Sequence, residues 1–182
     1  MSVLTPANQL TLLRMLLIPV FALCMLYNHP GWALVTFVVA GITDALDGII
    51  ARRTGQLTTL GAWLDPMADK LMVLTMFVML TLPSLGLPNR LPMWLTVLVI
   101  SRDAGIVLTV AIVNLAIARR TFRPSGLGKV ATATYIVTGV VTLYANYRGE
   151  PMAIVTVFVY LSLAITLLSG FHYVWRAAQP ND

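Results

Sequence analysis

Only seven acidic residues occur in this apolar chain: Asp44, Asp47, Asp65, Asp69, Asp103, Glu150 and Asp182. Four of them are spaced as if to work together. Asp44 and Asp47 are three residues apart, and on a helix that spacing puts both carboxylates on one face. Gly61, Asp65 and Asp69 follow at intervals of four, which again marks a single helical face. Oxygen ligands of this kind suit hard divalent cations such as Mg²⁺, Mn²⁺ or Ca²⁺, and the absence of His and Cys from the group argues against zinc. Four carboxylates can hold two ions, and a pair of ions suits displacement at phosphorus. Small residues flank the acids: Gly48 and Ala51 lie within a turn of Asp47, and Gly61 one turn before Asp65. They leave room for a ligand to reach the carboxylates, although close helix packing is the simpler reason for glycine in such a setting. Arg52, four residues after Gly48, points along the same groove, where it can meet a phosphate.

The elements that carry these residues are membrane spans. Hydrophobic residues make up 58% of the 182, charged residues only 10%, and the mean hydropathy is +0.84. Soluble domains carry about 25% charged residues, so a chain of this length is too apolar to hide its side chains in a soluble core. Six runs approach the roughly 20 apolar residues that a span needs: 12–28, 32–51, 62–82, 92–118, 128–146 and 152–174. Turn chemistry separates them at Asn28-His29-Pro30-Gly31, Thr54-Gly55-Gln56, Pro83 to Pro88, Arg123-Pro124-Ser125-Gly126 and Gly149-Glu150-Pro151. The first run reads as a retained helix, because no small-x-small cleavage site follows Tyr27. The expected fold is therefore an all-α integral membrane protein of six transmembrane helices forming a single domain over residues 1–182.

Basic residues orient the chain. With both termini in the cytoplasm, the inner segments hold Arg14, Arg52, Arg53, Arg119, Arg120, Arg123, Lys129 and Arg176, against Arg90 and Arg148 outside. The net charge of +5 thus reads as topology and contact with anionic lipid. The loops are too short to build a surface for nucleic acid. Cys24 stands alone, which excludes an intrachain disulfide. In this arrangement the four aspartates gather at the cytoplasmic ends of spans two and three. An unpaired aspartate at a helix centre costs about 2.5–3.5 kcal/mol on insertion scales, so something must offset the cluster, and intramembrane acids are functional by default. The short link from Arg52 to Leu60 predicts that spans two and three pair as an antiparallel hairpin, bringing the two acidic faces together.

The run Asp44-x2-Asp47-Gly48-x2-Ala51-Arg52-x8-Gly61-x3-Asp65-x3-Asp69 resembles, at every fixed position, the signature of the CDP-alcohol phosphatidyltransferases. Asn8-x2-Thr11-x2-Arg14 is similar to that family's first-helix pattern. The resemblance implies six helices and an enzyme that moves a phosphatidyl group from CDP-diacylglycerol to an alcohol, releasing CMP. It also implies two divalent metal ions, Mg²⁺ or Mn²⁺, between the aspartates and the donor's diphosphate, and a homodimer. Carried over, Asp44, Asp47 and Asp65 are metal ligands, and Asp69 is the base and a further metal contact. Asn8, Thr11, Arg14, Gly48, Ala51, Arg52 and Gly61 bind the CDP-diacylglycerol donor. The expected location is the bacterial inner membrane, with the site open to the cytoplasm.

The acceptor is read from the second half of the chain. Arg102 and Asp103 lie inside span four, either as a structural ion pair or with Arg102 facing an acceptor phosphate. Arg123 lies in the basic loop before span five and Lys129 at the start of that span; both are candidates for the same role. Ile100-Ser101-Arg102-Asp103 and the segment from Arg123 to Val130 are similar to the eukaryotic-type cardiolipin synthases, which use phosphatidylglycerol. The sister phosphatidylglycerophosphate synthases, which use glycerol 3-phosphate, typically carry Arg-Glu and a further basic residue a turn or two on. Here Ala104 to Val110 contains none. A divalent-cation transporter is the alternative from another class. It would place its acids near the midplane and show internal repeats or broken helices; here the acids sit at one end and no repeat is visible.

Overall fold

The computed structural model describes residues 6–54, 59–116 and 126–178, with side chains assigned there except at 6–8, 47–54, 59–63, 107, 109–116 and 173–178. Six helices account for nearly all of it: α1 (Pro6–Leu26), α2 (Pro30–Thr54), α3 (Thr59–Thr81), α4 (Met93–Ala116), α5 (Gly126–Arg148) and α6 (Ala153–Ala178), with a single 3₁₀ turn at Pro83–Leu85. No strand occurs among the described residues.

Local chemistry sets the boundaries. Pro6 and Pro30 open α1 and α2, where a missing N–H costs nothing. At the end of α1, Asn28 takes a left-handed conformation, φ 58°. Its N–H donates to the Met25 carbonyl at 3.1 Å, and the His29 N–H donates to Cys24 at 2.8 Å. This pair of bonds is the Schellman closure, and Asn is one of the few side-chain-bearing residues that tolerates the required φ. The His29 carbonyl then accepts from Ala33 at 3.0 Å and starts α2, so three residues reverse the chain. α1 begins six residues before the expected span, and this places Thr11 in the same helix as Arg14.

The side-chain distribution is that of a protein dissolved in lipid. Leu16, Trp32, Met93, Val97, Leu108, Val157, Leu168 and Phe171 face outward. Thr11, Thr43, Thr138, Thr142, Ser162, Thr166 and Ser169 are buried. Hydroxyls inside helices satisfy themselves by donating to carbonyls one turn back, as Thr36 does to Trp32 and Thr81 to Phe77. Among the described residues three helices are long and apolar enough to cross a membrane: Gln9–Leu26, Gly126–Arg148 and Ala153–His172. The described part of α3 carries Asp65, Asp69 and Lys70, which lower its hydropathy.

The chain divides into two compact units, residues 1–90 with 139–151, and residues 91–138 with 152–182. In the first, α1 packs along both α2 and α3, whereas α2 and α3 touch each other only sparsely over the described residues. In the described part α1 is thus the common partner of α2 and α3, and the middle of the link from Arg52 to Leu60, on which the expected α2–α3 hairpin rests, lies outside the described residues. Phe21 and Phe37, with ring centroids 6.1 Å apart, join α1 to α2 in a core that includes Met25, Ala33 and Ala40. Gly139 of α5 approaches α3 so closely that a Cβ there would overlap the Met76 side chain. Asn89 and Asn146 bind reciprocally: the Asn89 N–H donates to the Asn146 side chain at 2.9 Å, and the Asn146 amide donates to the Asn89 carbonyl at 2.8 Å. In the second unit α4 packs on α6, and α5 joins α6 through hydroxyl pairs, Tyr135 with Thr166 at 2.6 Å and Thr138 with Ser162 at 2.7 Å.

Candidate active site

Three of the four motif aspartates have described side chains, and α1 ties all three together. Thr11 and Arg14 are three residues apart and share one face of α1. The Thr11 hydroxyl donates to Asp65 Oδ1. Arg14 Nη1 donates to Asp69 Oδ1 at 2.5 Å, and Nη2 lies 3.0 Å from Asp44 Oδ1. The register follows from topology. α1 and α3 are both entered from the same end of the bundle and run parallel, so Thr11 meets Asp65 and Arg14 meets Asp69 one turn further on. α2 runs the other way and brings Asp44, near its C-terminal end, to the same level.

Burial is asymmetric across these ion pairs. The Arg14 side chain is 2% exposed, while those of Asp44 and Asp69 are 46% and 45% exposed. The cation lies beneath and the carboxylates open outward. A buried ion without compensation costs several kcal/mol; two carboxylates on one planar fork supply that compensation.

The donor set fits hard divalent cations: all oxygen, all carboxylate, partly open to solvent and already held by other side chains. Among the described residues no three acidic, His or Cys side chains close into one metal-binding group. The side chain of the fourth aspartate, Asp47, lies outside the described residues, as do those of Asn8, Gly48, Ala51, Arg52 and Gly61, although Asn8 stands on the helical backbone of α1, Asp47, Gly48, Ala51 and Arg52 on that of α2, and Gly61 on that of α3. Arg123 also lies outside the described residues, and Lys129 is exposed in the first turn of α5.

Arg102 belongs to the second unit. Its Nη1 donates to Asp103 at 2.6 Å and its Nη2 to the Ser169 hydroxyl of α6 at 2.7 Å. The side chain is 10% exposed, and its Nε makes no hydrogen bond among the described residues. Ser169 went unforeseen because nothing in the sequence joins positions 67 residues apart. The one available signal is its place on a buried polar stripe of α6 with Ser162 and Thr166, at helical spacing.

Acidic side chains of α2 and α3 are thus held by a buried arginine of α1, on helices whose outward faces are apolar, as in an integral membrane protein. The family model described as CDP-alcohol phosphatidyltransferase matches residues 4–168. A probable phosphatidylglycerophosphate synthase of Mycobacterium tuberculosis is 34% identical over 180 residues, covering 94% of this chain and 80% of that protein. A CMP-forming cardiolipin synthase of Streptomyces coelicolor is 33% identical over 165 residues, covering 86% and 73%. The human protein of the same name is 31% identical over 195 residues, covering 96% and 63%. The chain belongs to the CDP-alcohol phosphatidyltransferase family. It is an integral membrane phosphatidyltransferase, of a family that works with divalent metals.

Proposed function

We propose that this enzyme transfers the phosphatidyl group of CDP-diacylglycerol to phosphatidylglycerol, forming cardiolipin and releasing CMP. The observation that carries the choice of acceptor is Arg102. It is a largely buried guanidinium on α4, anchored by Asp103 and Ser169, with an Nε that makes no hydrogen bond among the described residues and no second basic residue following from Ala104 to Val110. A lipid acceptor enters sideways from the bilayer and brings one phosphate to such a group, and the apolar exteriors of α4 and α6 support that approach. The Streptomyces and human relatives named as cardiolipin synthases favour the same reading. The mycobacterial relative favours the second one, glycerol 3-phosphate as acceptor and phosphatidylglycerophosphate as product.

In this proposal Asp44, Asp47, Asp65 and Asp69 hold two ions, Mg²⁺ or Mn²⁺, at the donor. Bound there, the ions would neutralise the diphosphate and make CMP a better leaving group. Asp69, fixed by Arg14 through Oδ1, accepts the proton of the acceptor hydroxyl, which attacks the lipid-side phosphorus. Gly48, Ala51, Arg52 and Gly61 receive the cytidine nucleotide, and Asn8, Thr11 and Arg14 complete the donor site. Arg102, with Arg123 and Lys129, binds the acceptor's phosphate. Much of the catalysis is positioning and electrostatics. The proposal includes six spans with both termini in the cytoplasm, one catalytic domain over residues 1–182, a homodimer and a place in the bacterial inner membrane. The supporting pattern is the lysine and arginine bias of the loops and the common end at which α2 and α3 present the acids to α1. The test is to offer the purified enzyme CDP-diacylglycerol with each acceptor and separate the lipids. Cardiolipin made from phosphatidylglycerol supports the proposal.

A further inference from the structure

We infer that Thr11 and Arg14 are positioning residues for the metal-binding carboxylates: α1 provides a buried cationic floor that sets Asp44, Asp65 and Asp69 before a divalent cation arrives. The inference rests on the reading of those aspartates as metal ligands.

The motif itself lies on α2 and α3, yet these helices barely meet over the described residues. What brings their carboxylates to one place is a third element. Arg14 reaches Asp44 on α2 with one nitrogen and Asp69 on α3 with another, and Thr11 takes Asp65. Without a cation between them, Asp44 and Asp69 would repel and the helices carrying them would part. Arg14 prevents this in the metal-free protein.

Its placement distinguishes a floor from a substrate contact. The guanidinium is nearly inaccessible, and the carboxylates that it holds are open on their other side. Arg14 takes Asp69 Oδ1 with Nη1 and Asp44 Oδ1 with Nη2, so the planar fork holds the two carboxylates in a defined direction. Lysine could not do the same: its ammonium is a point charge, whereas the planar fork presents separate donors to two acceptors at once. Thr11 is fully buried, so its hydroxyl has no role in solvent. Partners of this kind orient metal ligands, and removing one typically weakens metal binding by about 10–100-fold. Thr11 and Arg14 thus act on the donor through the carboxylates that they hold.

The experiment uses the full chain in detergent and titrates Mn²⁺, following the loss of the free-ion electron paramagnetic resonance signal. CDP-diacylglycerol binding is measured separately in metal. Arg14→Gln should weaken Mn²⁺ binding by about 10–100-fold and Thr11→Val by about 10-fold. Arg14→Lys should fall between Arg14→Gln and the unaltered protein, restoring charge without the fork. Thermal unfolding identifies any variant that does not fold; Thr11→Val, which keeps the shape of the side chain, decides the matter if the arginine variants fail. Unchanged Mn²⁺ affinity in folded Thr11→Val and Arg14→Lys, with donor binding weakened, would overturn the inference and make both residues direct donor contacts. If the unaltered protein itself binds no Mn²⁺, the metal-ligand reading falls, and the positioning role falls with it.

Discussion

Replacing Asp69 with asparagine separates its roles. The amide keeps the size of the carboxylate and an oxygen that can accept from Arg14 Nη1, which now lies 2.5 Å from Oδ1. Nη2 still faces Asp44 at 3.0 Å, so the buried guanidinium is not orphaned. One charge-assisted hydrogen bond becomes a neutral one, a loss of about 1–2 kcal/mol from the usual difference between the two kinds. That loss is moderated by the 45% exposure of Asp69. The folded protein should therefore persist, with a modestly lower Tm. Chemistry should suffer far more. A positioned general base contributes about 10²–10⁴-fold, equivalent to about 3–5 kcal/mol of barrier at 1.36 kcal/mol per tenfold. The assay measures kcat under saturating donor and acceptor, alongside equilibrium binding of CDP-diacylglycerol in Mn²⁺. The expected result is a collapse of kcat with donor affinity within a few-fold of the unaltered enzyme. If Asp69→Asn loses donor binding as completely as Asp65→Asn, Asp69 is chiefly a ligand and its assignment as the base is refuted.

Excess chelator should abolish turnover, and Mg²⁺ or Mn²⁺ should restore it; full activity in chelator would exclude the two-ion site. Arg102→Gln should raise KM for the acceptor while leaving KM for CDP-diacylglycerol unchanged, whereas equal effects on both would reduce Arg102 to a structural ion pair with Asp103. In a Cys24→Ala background, a cysteine replacing Thr58 should label only from the cytoplasm and one replacing Ser84 only from the opposite side. Ser84 is exposed beside Gly86, whose φ of 59° makes the glycine itself a poor position for substitution. Reversed labelling would invert the topology.

The elements and the acids were legible because each has a local signature. Apolar runs of span length, punctuated by Asn28 to Gly31 and by Pro83 to Pro88, mark helices without any tertiary knowledge. The periods of three and four place Asp44 with Asp47, and Asp65 with Asp69, on single faces. What those faces meet is a long-range matter. The short Arg52–Leu60 link pointed to a direct α2–α3 pairing, but the counter-charge for the acids lies on α1, and Arg14 draws that helix toward both. Thr11 and Arg14 could be placed on one face of α1 from sequence, yet nothing local says that the face points at Asp65 and Asp69, more than 50 residues away. Arg102 and Asp103 illustrate the same limit. Adjacent residues do not share a helix face, so their 2.6 Å contact depends on the length and bend of the arginine, while the second anchor, Ser169, comes from another helix.

The most direct test of the account is the identity of the lipid product. Purified enzyme in Mg²⁺ or Mn²⁺ receives labelled CDP-diacylglycerol together with equal amounts of phosphatidylglycerol and glycerol 3-phosphate, and the lipids are separated as CMP accumulates. The account predicts cardiolipin as the dominant product, formed in step with CMP and lost in Asp69→Asn. Phosphatidylglycerophosphate as the dominant product would contradict the assignment of the acceptor, and release of CMP without any new phospholipid would contradict the transfer reaction itself.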